Sequence, residues 1–137
     1  WNLDVVKKEL GVLKNDLIIL AYGSNDALLK DFNAVEFKKN YKDFFKILRR
    51  ENKNAIFILI SPPTATQKNF HAVKKAIYEL AKEEKTLLFD MHEFMQESGT
   101  KALWIEKKLS LKDVHLSVKG YELMAKKMLD ELRKFFD

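Results

Sequence analysis

A three-layer α/β/α sandwich with a parallel sheet is the fold this sequence predicts, and three observations predict it. Short apolar runs recur at 17–22, 55–60 and 86–90. Between and after them, apolar residues return at helical spacing. Turn residues close the runs, with Gly23 after the first and Ser61-Pro62-Pro63 after the second. Strands that alternate with helices need crossover connections, which set the strands parallel and place helices on both faces.

Each element has its own signal. Leu3, Val6 and Leu10 fall on one side of a predicted helix over 2–10. Leu17 through Tyr22 are continuously apolar, as suits a strand buried on both faces. Asn33-Ala34-Val35-Glu36 reads as a capping box, followed by Phe37, Tyr41, Phe44, Phe45 and Leu48. The run 55–60 repeats the strand pattern. Phe70, Val73, Ile77, Leu80 and Ala81 mark the next helix, predicted to start near Thr64 or Thr66. After the strand at 86–90, Asp90 with Glu93 reads as a capping box for a short helix ending near Gly99. The last helix starts at about Ser117 and carries Val118, Tyr121, Met124, Ala125, Met128, Leu132 and Phe135. Three strands make a thin sheet for this architecture, so further strands are expected upstream of Trp1. Trp1 is not an initiator methionine, and nothing before Asn2 resembles a signal peptide.

Composition narrows the function. A chain of 137 residues with 47% hydrophobic residues builds one cored domain and excludes disorder. The longest apolar run falls far short of the roughly 20 residues that cross a bilayer, so no membrane span is predicted. Zero cysteines exclude a disulfide scaffold and a thiolate metal site. The net charge of +5 is spread over mixed-sign stretches such as Lys82-Glu83-Glu84-Lys85, which is a solvated surface and argues against nucleic-acid binding.

In open parallel sheets, ligand sites gather at the carboxyl ends of the strands. Here those ends carry Gly23-Ser24-Asn25-Asp26, Ser61-Pro62-Pro63-Thr64 and Asp90-Met91-His92, and a fourth polar cluster, Asp113-Val114-His115, opens the last helix. In an extended segment residues i and i+2 point to one side, so Asp113 and His115 are able to pair. Such a pair fixes the histidine tautomer and stabilises the imidazolium that a general base forms. Asn25 follows a glycine at a strand end, where its amide is able to donate to an oxyanion. Each also has a plainer reading, as turn chemistry for Asn25 and as surface and cap for Asp113 and His115.

Two of these segments together resemble a family. Ala21-Tyr22-Gly23-Ser24-Asn25-Asp26-Ala27 resembles the Gly-x-Asn-Asp block of the SGNH, or GDSL-type, esterases. Asp113-Val114-His115-Leu116-Ser117-Val118-Lys119-Gly120-Tyr121 resembles their Asp-x-x-His block with its following Gly-Tyr helix. The fuller strings are most similar to the cell-wall peptidoglycan O-acetylesterases. The resemblance implies a flavodoxin-like SGNH hydrolase fold, with residues 1–137 as the C-terminal portion of a single domain. The Gly-Asp-Ser nucleophile block and the glycine block of the oxyanion hole are then expected upstream of Trp1.

Carried over by residue, the resemblance implies His115 as general base, Asp113 as its orienting acid and Asn25 as an oxyanion-hole donor. The acid departs from the family pattern, because Asp-x-x-His puts it at position 112, which is Lys112. Gly23, Ser24, Asp26 and Trp104 are candidates to border the cleft. Ser24 lacks the flanks of a nucleophile elbow, having Tyr22 and Asp26 where glycines belong. Asp26 reads more simply as a turn carboxylate, Ser61 as a strand exit and Trp104 as a packing aromatic. His71 and His92 have no second ligand at metal spacing, and no metal or organic cofactor is required.

The implied activity is hydrolysis of carboxylic esters, with O-acetylated peptidoglycan as substrate. An upstream serine supplies the nucleophile, and the site lies in the periplasm or cell envelope. By itself this chain is expected to be inactive. The alternatives are an O-acetyltransferase of the same fold and a non-catalytic α/β binding domain.

Overall fold

Each apolar run becomes a strand, and helices cover both faces of the sheet at the second and third runs but only one face at the first, so the first run is not the doubly buried strand its continuous apolarity predicts. The computed structural model describes residues 4, 5, 8, 14–63, 66–113 and 115–134. Strand β1 spans Leu17–Leu20, β2 Ile56–Ile60 and β3 Leu87–Phe89. They are parallel, in the order β1-β2-β3, with Leu17 beside Ile56 and Ile58 beside Leu87. The helices are α1 (Ala34–Glu51), α2 (Phe70–Glu84), α3 (Met91–Glu97), α4 (Lys101–Glu106) and α5 (Val118–Arg133). A 3-10 turn, Asp26–Leu28, follows β1.

Side-chain alternation along the strands sorts the core into two halves. Ile18, Leu20, Phe57, Leu59 and Leu88 belong to one, with Tyr41, Phe44, Phe45 and Leu48 of α1 and Val73, Ile77 and Leu80 of α2. Ile58, Ile60, Leu87 and Phe89 belong to the other, with Met91 and Met95 of α3, Trp104 of α4 and Leu123, Met124 and Met128 of α5. The predicted α/β/α sandwich is the result. Arg49 joins the first two helices: its guanidinium lies 4.9 and 4.6 Å from the Phe45 and Phe57 ring centroids and donates to the Glu84 carbonyl at the end of α2. On the second face of β1, Leu17 and Ile19 stay 44% and 42% exposed.

Caps set the helix starts. Asn33 Oδ1 accepts from the Val35 and Glu36 amides at 3.0 and 3.1 Å, as its capping signal predicts. The start of α2 differs from the predicted one, since Phe70 is its first residue, Thr66 precedes it and Thr64 lies outside the described residues. Tertiary bonds decide this. The Asn69 amide donates to the Ala27 carbonyl and its side chain to the Leu29 carbonyl, which pins α2 to the loop after β1. Helix α4 is an addition that sequence periodicity does not show, capped by Thr100 accepting from the Leu103 amide. Of the helix predicted over 2–10, Asp4, Val5 and Lys8 are helical and the rest lies outside the described residues. Among the described residues no helix is long and apolar enough to cross a membrane.

Candidate active site

The loop after β1 is built around Gly23. Its φ of +108° lies in the region that disfavours a side chain, and a Cβ there would stand 2.5 Å from Val73 Cγ1. The Gly23 carbonyl accepts from the Ala27 amide, and the Asn25 carbonyl from the Leu28 amide, closing the turn. Asn25 occupies the cap position of this turn, yet its side chain makes no capping bond and is exposed. Among the described residues that amide has no hydrogen-bond partner, which leaves it able to meet an incoming ligand. Ser24 and Asp26 are half-buried in the same turn. Asp26 borders a small cavity of about 70 Å³ with Tyr22, Phe37, Asn40 and Tyr41.

The second segment is a small hairpin. Ser110 and Leu116 form an antiparallel bridge, and the Leu111 amide donates to the His115 carbonyl. At its tip, Asp113 grips His115 twice: Oδ1 accepts the His115 backbone N–H at 2.9 Å, and Oδ2 lies 3.0 Å from Nδ1. These two contacts, the backbone donation first, hold the Asp113 carboxyl below its ordinary value. The offset of one residue from the family pattern thus leaves the carboxylate in reach of the ring. Nε2 of His115 has no hydrogen-bond partner among the described residues, and the ring is exposed.

Leu116 anchors the hairpin in the core half that also holds Ile60 and Phe89, the last residues of β2 and β3. Ser117 then caps α5, accepting from the Gly120 amide and donating to the Lys108 carbonyl at 2.6 Å. The structure brings Asp113 and His115 into contact. It records no contact between that pair and Asn25.

Trp104 is a correction to the cleft candidates. It is fully buried, its Nε1 donates to Ser98 Oγ and its ring meets Phe94 edge-on at 5.7 Å. A side chain with no exposed surface cannot line a cleft, and its packing role follows from the apolar wall of α3 and α5 around it.

Asp90 does more than its capping signal implies. Its carboxylate accepts from the Glu93 amide at 3.0 Å, as the capping box requires, but also from Ser61 Oγ at 2.7 Å and from Tyr78 Oη, and it pairs with Lys74 at 2.5 Å. Burial opposes the charge, but donation from Lys74, Tyr78, Glu93 and Ser61 outweighs it and holds the carboxyl at about 2. A carboxylate so fully engaged is a joint between strand ends, not a base. Its donors are spread over positions 61, 74, 78 and 93, so only the Glu93 part shows as a local motif. Beside it, His71 and His92 rest against Phe70 at 5.2 and 4.8 Å, and burial lowers the pKa of His92. Among the described residues no group of three or more His, Asp or Glu side chains is placed to hold a metal ion.

Comparison with known proteins bears on this geometry. The profile of the GDSL-like Lipase/Acylhydrolase family matches residues 2–123. Among solved structures, one described as a peptidoglycan O-acetylesterase superposes with a TM-score of 0.84 at 22% identity, covering 94% of this chain. A salicylyl-acyltransferase from a tetracycline biosynthetic pathway superposes with a TM-score of 0.70 at 19% identity, covering 95%. This chain spans 40% of the length of each. No curated protein sequence matches it significantly.

Proposed function

The chain belongs to the GDSL-like lipase/acylhydrolase family, and on that premise we propose that it is the histidine-bearing part of an esterase that removes O-acetyl groups from cell-wall peptidoglycan. The observation that carries this reading is the 3.0 Å contact of Asp113 Oδ2 with His115 Nδ1, which leaves Nε2 unengaged. A carboxylate that holds Nδ1–H keeps the lone pair on Nε2, where a general base needs it.

In the proposed reaction, a serine upstream of Trp1 attacks the acetyl carbonyl while His115 Nε2 takes its proton. The Asn25 amide donates to the tetrahedral oxyanion. His115 returns the proton to the departing sugar hydroxyl, and water then attacks the acetyl-serine with His115 again as base. Acetate leaves and the serine is restored. An upstream nucleophile is supported by the absence of a Gly-Asp-Ser string from the sequence. The 40% coverage of the solved relatives and the exposed Leu17 and Ile19 on outer strand β1 agree with it. The peptidoglycan substrate, and with it action in the periplasm or cell envelope, is supported by the solved O-acetylesterase of the same fold.

The test uses the longer protein that carries this chain, with O-acetylated peptidoglycan as substrate. Acetate release is expected, falling on the order of 10²–10⁴-fold in His115→Ala, together with a fluorophosphonate adduct on a serine upstream of Trp1. Undiminished release in His115→Ala would overturn the assignment. So would robust, His115-dependent turnover of 4-nitrophenyl acetate by the 137-residue chain alone, because the nucleophile would then lie within it. The acyltransferase fold match favours one second reading, transfer of the acetyl group to a sugar hydroxyl. Acetylated acceptor with little free acetate would select it.

A further inference from the structure

We infer that Lys101 is a positioning residue for the Asp113–His115 pair, an inference that rests on the proposed role of that pair. Lys101 is the first residue of α4, and its ammonium donates to two acceptors in the hairpin, the Ser110 hydroxyl and the main-chain carbonyl of Asp113. One cation therefore ties the tip of the hairpin to its base. Ser110 is 4% exposed, and its Oγ also lies 3.1 Å from the His115 carbonyl. The tether thus reaches the main chain of both members of the pair.

Its partners set Lys101 apart. Lys38, Lys42, Lys74, Lys127 and Lys134 each lie within 4 Å of a carboxylate. Lys101, half-buried, makes no such ion pair among the described residues and turns instead to a hydroxyl and a carbonyl. Partial burial lowers its pKa, with the charge of Asp113 working the other way. Removing a cation from water is costly unless its donors are satisfied, and here the satisfied arrangement fixes a loop.

The consequence for the pair is geometric. Carbonyl and carboxylate of Asp113 hang from one Cα, so holding the carbonyl limits where the carboxylate can point. In the held position Oδ1 meets the His115 amide and Oδ2 meets Nδ1. The ammonium also favours the ionised carboxylate. Freed of Lys101, Asp113 would compete with water for Nδ1, and the histidine would lose its enforced tautomer.

Nitrogen NMR of the His115 imidazole in the longer protein that carries this chain tests this without any substrate. In the wild type, neutral His115 is expected as the Nδ1–H form. Lys101→Met is expected to lose that form in favour of the Nε2–H tautomer that free imidazole prefers, and Lys101→Arg, which keeps a cationic donor, to restore it. Retention of the wild-type tautomer in a folded Lys101→Met would overturn the inference. Should that variant lose its dispersed amide spectrum, Lys101→Gln, with a shorter neutral donor, carries the same two outcomes. Because the readout is tautomeric, failure of the tether and failure of the esterase reading are told apart: the first shows in the NMR, the second as absent acetate release.

Discussion

A Cβ on residue 120 would stand 1.9 Å from the carbonyl oxygen of Leu109, and that same oxygen accepts the Ser117 amide at 3.0 Å. The first turn of α5 is therefore seated directly against the main chain that leads into the Asp113–His115 hairpin. The glycine of the Lys-Gly-Tyr string is a packing requirement. It lets the hairpin's two ends close under the helix.

Gly120→Ala separates this contact from helix propensity. In an unconstrained helix interior alanine is favoured over glycine by about 0.8–1 kcal/mol. Overpacking against main chain works in the opposite direction, by typically 1–3 kcal/mol. We expect a net loss of stability in urea denaturation of the chain. A gain would mean that α5 is not seated on Leu109.

Asn25→Ala is expected to divide stability from catalysis. Loss of a working N-cap costs about 0.5–2 kcal/mol, but the Asn25 side chain makes no capping bond. Its removal should leave the unfolding free energy from urea titration within about 0.5 kcal/mol of the wild type. In the longer protein, kcat for ester hydrolysis should fall on the order of 10²–10³-fold, as for loss of an oxyanion donor. Unchanged kcat would remove Asn25 from the oxyanion hole.

Asp90 makes stability depend on acid pH. Its folded-state pKa is lowered from 3.8 to about 2, so its contribution is fully present above the unfolded value and is lost as pH falls through the folded one. The window runs from about pH 4 down to about pH 2, and with the side chain only 8% exposed the contribution is of the order of 2 kcal/mol. Denaturant titrations across that window should show a slope that Asp90→Asn flattens. An unchanged slope would assign the acid sensitivity to other carboxylates.

Trp104→Ala is expected to act through the core. Emptying a fully buried tryptophan site costs about 3–5 kcal/mol, whereas a cleft wall would announce itself in KM. Trp104→Phe should retain most of the packing and lose the bond to Ser98 Oγ, which is worth roughly 1 kcal/mol. Thermal and urea unfolding check both. A raised KM with unchanged stability would return Trp104 to the cleft.

Much of the architecture was legible because its signals are local. The runs containing Leu17–Leu20 and Ile56–Ile60 read as strands from their continuous apolarity, and both are strands. Asn33 and Ser117 mark their helices because a cap and the amides it accepts lie within three residues. The Asp113–His115 contact was equally accessible, since an extended i, i+2 pair needs no distant partner. Helix α4 was missed because six residues are too few to show a period. The start of α2 was misplaced because its bonds run to Ala27 and Leu29, some 40 residues away.

The sequence by itself thus determined the alternation of strand and helix, the parallel sheet, the caps at Asn33, Asp90 and Ser117, and the two short segments that carry the candidate chemistry. Period, capping and i, i+2 pairing are properties of neighbours along the chain, which is why they can be read there. Only the tertiary structure decided that Asp90 is a joint with four donors, that Trp104 is core, that Gly120 must lack a side chain and that Lys101 holds the hairpin. Each of these depends on which distant segment lies within hydrogen-bond or van der Waals reach, and chain folding alone sets that distance.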